Sequence, residues 1–324
     1  MSQTTQCGTG STEARQGELR HIMPLRHGGI AGFRLRYELT GPSGAPLLLV
    51  AGGISAGRHV ISSDGFPGTG WWQSQAVVFR DYRVLAIDWV GGDGTIDLPI
   101  DPADQAEAIA WLLGELGESS AAAFIGASYG AMVGMHFAAR HPQRPGGLLA
   151  ISAANRAHPF ASASRALQRQ AVALGESRGD PAAGVALARA MAILTYRTPG
   201  EFAERFDAPP EIQGSHLRVA AEPYLDAHGE RHCRKMNSVA YRRLSESIDL
   251  HRIDPAKLTV PVTLVAVDQD ALVPAADVEA LARAIPHSAF HLIHSRYGHD
   301  AFLKEEVRVG AIITAFLDSL EISR

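Results

Sequence analysis

The sequence predicts an α/β fold: a mainly parallel sheet with helices on both faces and an inserted helical cap. Three observations predict it. Short, continuously apolar runs, such as residues 46–51 and 262–267, read as buried parallel strands, because a strand covered on both faces has no polar side. These runs alternate with stretches of helical period, the rhythm of strand–helix–strand units. The rhythm stops between about residues 155 and 255, where the pattern is helical and no buried strand is evident. With 324 residues, 46% of them hydrophobic, the chain can bury a core of this size.

Each element follows from its residues. Residues 1–20 are rich in Ser, Thr, Gly and Gln and are expected to lack order. Regular structure is expected from near Phe33, where residues 33–37 alternate like a half-exposed strand. The run 46–51 ends in Gly52-Gly53, a strand running into a tight loop, and residues 83–88 form a similar strand. Asp101 is a good helix N-cap, Pro102 suits the first helical position, and Ala106, Ile109, Ala110 and Leu113 recur at helical spacing. A strand over 121–125, a turn over 126–130, a helix to about Arg140 and a strand over 148–152 follow. Within the insertion, 182–194 and 237–250 read as helices. The alternation then resumes with strand 262–267, a helix near 277–284, a strand over 289–294 and a closing helix from about Asp300. The expected organisation is therefore a core of residues 21–154 and 256–324 interrupted by a cap of residues 155–255.

Composition excludes several classes of function. The formal net charge is -4 and no basic run occurs, so a nucleic-acid partner is not expected. No apolar stretch is long enough to span a bilayer, and the first twenty residues lack the apolar core of a signal peptide. The two cysteines, Cys7 and Cys233, lack metal-site spacing and read as free thiols of a cytoplasmic protein. No metal site is expected.

Gly126-Ala127-Ser128-Tyr129-Gly130 matches the GxSxG nucleophile elbow, and it lies between an apolar strand and a helical stretch, as that motif requires. A serine on a sharp strand-to-helix turn needs small neighbours two residues away, and the turn lifts its hydroxyl above the sheet. A serine hydroxyl is a weak nucleophile until a base takes its proton. In the α/β-hydrolase fold the acid and the histidine follow in that order, each after a late strand. His299, in the loop Tyr297-Gly298-His299-Asp300, has that position. His291 and His294 lie within the preceding strand and read as packed or surface residues. Two acids, Asp268 and Asp270, follow strand 262–267, and position alone leaves both open. The backbone N–H groups of Tyr129 and of Ile54, in the loop Gly52-Gly53-Ile54-Ser55, are the expected oxyanion donors.

From about Phe33 onward the chain resembles the homoserine O-acyltransferases of the α/β-hydrolase fold. The resemblance lies in Gly298-His299-Asp300-Ala301-Phe302-Leu303, Asp270-Ala271-Leu272-Val273-Pro274, Leu194-Thr195-Tyr196-Arg197 and Glu222-Pro223-Tyr224-Leu225-Asp226. It implies Asp270 as the triad acid, Asp300 as the partner of homoserine's ammonium, and Arg189 with Tyr196 as holders of the amino acid. It also implies acyl-CoA as co-substrate, no permanently bound cofactor, methionine biosynthesis as the setting and a homodimer joined through the cap. The elbow has Ala127 and Tyr129 where acetyl-transferring members have Gly and Met, the loop after the first buried strand begins Gly52-Gly53-Ile54, and the segment 91–99 is short. These departures resemble the branch that uses succinyl-CoA. A succinyl group brings a carboxylate that must meet a cation or N–H cluster, and Arg58 is the expected partner. No CoA-binding motif is evident. Acetyl-CoA as donor to homoserine, L-serine as acceptor, and simple ester hydrolysis are the alternative readings.

Overall fold

The described chain enters its sheet through a long antiparallel hairpin. In the computed structural model, which describes residues 14–322, β1 (Ala14–Pro24) and β2 (Ile30–Thr40) pair along their whole length. Order therefore begins well before Phe33, and residues 14–20 correct the expectation of disorder. The physical reason is that β1 is an edge strand with one partner. Its Arg, Gln and Glu side chains face water and give it the composition of a tail. Residues 1–13, with Cys7, lie outside the described residues.

Then follow β3 (Leu47–Ala51), the single turn α1 (Ala76–Phe79), β4 (Arg83–Ile87), α2 (Pro102–Glu115), β5 (Ala123–Ala127), α3 (Tyr129–Arg140) and β6 (Leu148–Ile151). Asp101 caps α2 in a reciprocal box with Asp104, which satisfies two of the helix's open donors. After β6 the chain leaves the sheet to form α4 (Pro159–Ser177), α5 (Pro181–Tyr196), α6 (Pro199–Phe206), a small hairpin of β7 (Glu211–Gln213) and β8 (His216–Arg218), α7 (Glu222–Cys233) and α8 (Ser238–Leu250). It returns through β9 (Val262–Val267), α9 (Ala275–Ala284), β10 (Ala289–Ile293), α10 (Ala301–Lys304) and α11 (Glu306–Ser319). The closing helix expected from Asp300 is thus a short helix, a break at Glu305 and a longer helix.

The eight strands lie in the order β1-β2-β4-β3-β5-β6-β9-β10, antiparallel as far as β4 and parallel beyond it. The central strands are apolar throughout because each feeds two cores. Leu47, Leu49 and Ala51 of β3 pack on one face with α2 and α3. Leu48 and Val50 pack on the other with α11. The carboxyl ends of β3, β5, β6 and β9 all point toward the cap, and the site is assembled there. Among the described residues no helix is long and apolar enough to cross a membrane.

Candidate active site

Ser128 stands between β5 and α3 with φ 54° and ψ -120°, backbone angles that an L-residue adopts only under constraint. The constraint is visible. Ser128 N–H donates to Ile151 O at 2.8 Å, and its carbonyl accepts from Ala131 and Met132 at 3.0 and 3.2 Å. A Cβ on Gly126 would lie 2.5 Å from Gly130 O, and a Cβ on Gly130 would run into the Ala51 carbonyl. Only glycine fits at these two positions.

The turn brings Ser128 Oγ to 2.7 Å from His299 Nε2, and His299 Nδ1 lies 2.7 Å from Asp270 Oδ2. The other carboxylate oxygen of Asp270 accepts from the N–H groups of Leu272 and Val273 at 2.9 and 3.0 Å, which fixes its rotamer. His299 and Asp270 are both buried. Asp268 turns away and holds His294 Nδ1 at 3.0 Å and Ser295 N–H at 3.1 Å. Burial alone would push the His299 pKa down. The charge and hydrogen bond of Asp270, with the charge of Asp300, outweigh it and leave that pKa raised.

The loop after β3 is held against the elbow. Gly130 N–H donates to Gly52 O at 2.8 Å, and Trp89 Nε1–H donates to Gly53 O at 3.0 Å. Ile54 lies on the wall of the Ser128 cavity. Among the described residues, neither Ile54 N–H nor Tyr129 N–H has an acceptor, so both donors are open. The Tyr129 side chain is buried, and its hydroxyl meets Ser247 Oγ on α8 at 2.7 Å, tying the elbow helix to the cap.

Ser128 opens into a cavity of about 200 Å³ between the sheet and the cap. Arg189, Tyr196 and Asp300 all line it, although they come from α5 and from the turn that carries His299. The Tyr196 ring stacks on the His299 ring with centroids 5.8 Å apart, and the Arg189 guanidinium lies 4.9 Å from the centre of Tyr196. Asp300 is also held by Arg197 at 3.2 Å. Arg197 lies within the motif that holds Tyr196 but carries no sequence signal of its own.

Arg58 is a correction. Both its backbone N–H and its guanidinium engage Asp88, and it does not line the cavity. The arginines that do line it are Arg156, Arg165 and Arg189. Arg165 comes from α4 and shares Asp249 with Arg169. No local pattern in the sequence marks it, because only the packing of α4 over the sheet brings it to the site. Among the described residues no group of three or more His, Cys, Asp or Glu is placed to hold a metal ion.

Fold and elbow together define an α/β-hydrolase, and residues 46–306 match the family model of the α/β hydrolase fold. The chain is 52% identical to the homoserine O-succinyltransferase of Xanthomonas campestris pv. campestris, over 94% of this chain and 84% of that one. It is 28% identical to the serine O-succinyltransferase of Frateuria aurantia over 96% of this chain and the whole of that one. The crystal structure of a homoserine O-acetyltransferase from Bacillus anthracis superposes with a TM-score of 0.85 at 16% identity, covering 95% and 98% of the two chains, a likeness of fold. By the first of these relationships, the chain belongs to the homoserine O-acyltransferase family.

Proposed function

We propose that this chain transfers a succinyl group from succinyl-CoA to the hydroxyl of L-homoserine through an ester on Ser128. The observation that carries the reading is the 52% identity to a homoserine O-succinyltransferase along nearly the whole chain. The site supplies a chemistry for it. With its Nδ1–H donated to Asp270, His299 presents the Nε2 lone pair to the Ser128 hydroxyl. His299 takes that proton as Oγ attacks the thioester carbonyl, while the N–H groups of Ile54 and Tyr129 stabilise the oxyanion. The C–S bond breaks and His299 returns the proton to the departing CoA thiolate. Homoserine's hydroxyl then gives its proton to His299 and attacks the acyl-serine. O-Succinylhomoserine leaves and Ser128 recovers its proton. A methionine-forming route in the cytoplasm is a setting consistent with this product.

Arg189 and Asp300 offer opposite charges to the two ends of a zwitterionic acceptor. With Arg58 engaged elsewhere, Arg156 or Arg165 meets the succinyl carboxylate inside the cavity. A homodimer joined through the cap is supported by an outward apolar stripe: Phe160, Leu167 and Leu174 recur every seven residues on α4, and Leu187 and Leu194 do so on α5, all exposed.

The test is an activity matrix of succinyl-CoA and acetyl-CoA against L-homoserine, L-serine and no acceptor. Succinyl-CoA with homoserine should give the largest kcat/KM. Preference for serine, a reading supported by the full-length similarity to a serine O-succinyltransferase, would reassign the acceptor. Equal thioester loss without acceptor would make the protein a hydrolase.

A further inference from the structure

A second cavity, about 400 Å³, lies beside the catalytic one. Ile54, Ser55, Ala56 and His232 line both, so the loop that bears the oxyanion donor is the rim between them. The catalytic cavity, at about 200 Å³, is below the roughly 300 Å³ at which pockets begin to enclose larger ligands. It suits the reacting groups of an acyl donor and an amino acid.

The outer cavity has the chemistry for that body. Its apolar wall is Phe33, Trp89 and Met236. Its cations are Arg34, Arg36 and Lys235. The two arginines share a single carboxylate, Glu18, at 3.8 and 2.8 Å, which leaves one positive charge in surplus. Among the described residues Lys235 makes no ion pair. Of the cavity's acids, Asp88 is paired with Arg58, whereas Asp93 accepts from Thr95 and keeps its charge, so Arg34, Arg36 and Lys235 still outweigh the acids by one positive charge.

His232, at the joint, is 9% exposed, and its Nε2 is buried without a hydrogen-bond partner. A buried ring nitrogen left open is costly unless a ligand meets it. Burial, then the charges of Arg189 and Lys235, push its pKa to about 3, so the ring is neutral and can serve an amide.

We propose that the outer cavity binds the coenzyme portion of acyl-CoA. Its phosphates lie on Arg34, Arg36 and Lys235, and its pantetheine arm passes His232 and the 54–56 loop to present the thioester to Ser128. This rests on the acyl-CoA reading above.

Two probes separate the parts: free CoA in equilibrium binding, and succinyl-pantetheine, which has the arm but lacks the nucleotide. Replacing Arg36→Ala and Lys235→Glu together should raise Kd for free CoA and KM for succinyl-CoA by about tenfold, the loss expected for charge-assisted contacts to phosphate. KM for succinyl-pantetheine should not move. His232→Phe should raise KM for both thioesters together, with the melting temperature checked as a control for folding. The proposal is overturned if the charge variant binds free CoA as wild type does, or if it weakens succinyl-pantetheine equally. A wild-type protein that neither binds CoA nor turns over its thioesters would instead defeat the acyl-CoA reading itself.

Discussion

At the scale of single residues the decisive arrangement is the pairing of each late-strand acid with a different histidine. Asp270 meets His299, whereas Asp268 meets His294, which is exposed and lines neither cavity. Asp270→Asn should lower kcat by roughly 10⁴, as loss of a triad carboxylate does when it leaves the imidazole in the wrong tautomer. Asp268→Asn should cost far less, and steady-state rates for the two variants check the ranking. A second prediction concerns pH. His299 must be neutral to accept the serine proton, and its pKa is raised, so activity should fall as pH drops through a value above the ordinary ~6.5. Asp300 contributes to that rise. In Asp300→Asn the acid limb of the acylation half-reaction, followed as CoA release without acceptor, should move to lower pH. An unmoved limb would remove Asp300 from the electrostatics of His299. Ser128 and His299 were legible in the sequence because strand, turn and helix signals surround them. Arg58 misled because closeness in sequence to the oxyanion loop says nothing of side-chain direction, and Asp88, thirty residues away, captures it.

Among the elements, the contact of α3 with α8 couples the elbow to the cap. Tyr129 bonds Ser247, and two turns further along α3 His136 Nε2 lies 3.2 Å from His251 Nδ1, while His251 Nε2 donates to Ala154 O at 2.8 Å. Burial pushes His251 down to about 4. Burial, then the neighbouring His251, pushes His136 to about 3, with Asp101, Arg26 and Arg140 as the surrounding charges. The unfolded chain takes up these protons near pH ~6.5 and the folded chain refuses them. Stability from this pair is therefore whole above that value and is lost as pH falls toward 4. Thermal melts between pH 7 and 5 should show a falling Tm. His251→Gln, which keeps a donor for Ala154 and cannot titrate, should flatten the slope; an unchanged slope would place the acid sensitivity elsewhere. The central parallel strands β3, β5 and β6 were readable because burial on both faces leaves no polar residue in them. β1 and the hairpin of β7 and β8 were not, since their side chains face water and carry little apolar pattern.

For the whole molecule, the cap both roofs the cavity and carries the apolar stripe proposed for dimer contact. Leu167→Glu with Leu174→Glu should convert a dimer into monomers in sedimentation analysis; a wild-type monomer would contradict that role. The division into sheet and insertion was readable as a change of period near residue 155. The way the insertion folds back over the sheet was not, because it depends on contacts between helices far apart in sequence, such as Arg165 of α4 with Asp249 of α8. Placed together, core and cap make a site in which one serine is proposed to carry the acyl group between two substrates. The measurement that tests this most directly is peptide mass spectrometry of the protein mixed with succinyl-CoA and no acceptor. The peptide containing Ser128 should gain the mass of one succinyl group, the label should vanish when L-homoserine is added, and Ser128→Ala should show none. Full transferase activity with no acylated Ser128, or an active Ser128→Ala variant, would contradict the covalent mechanism.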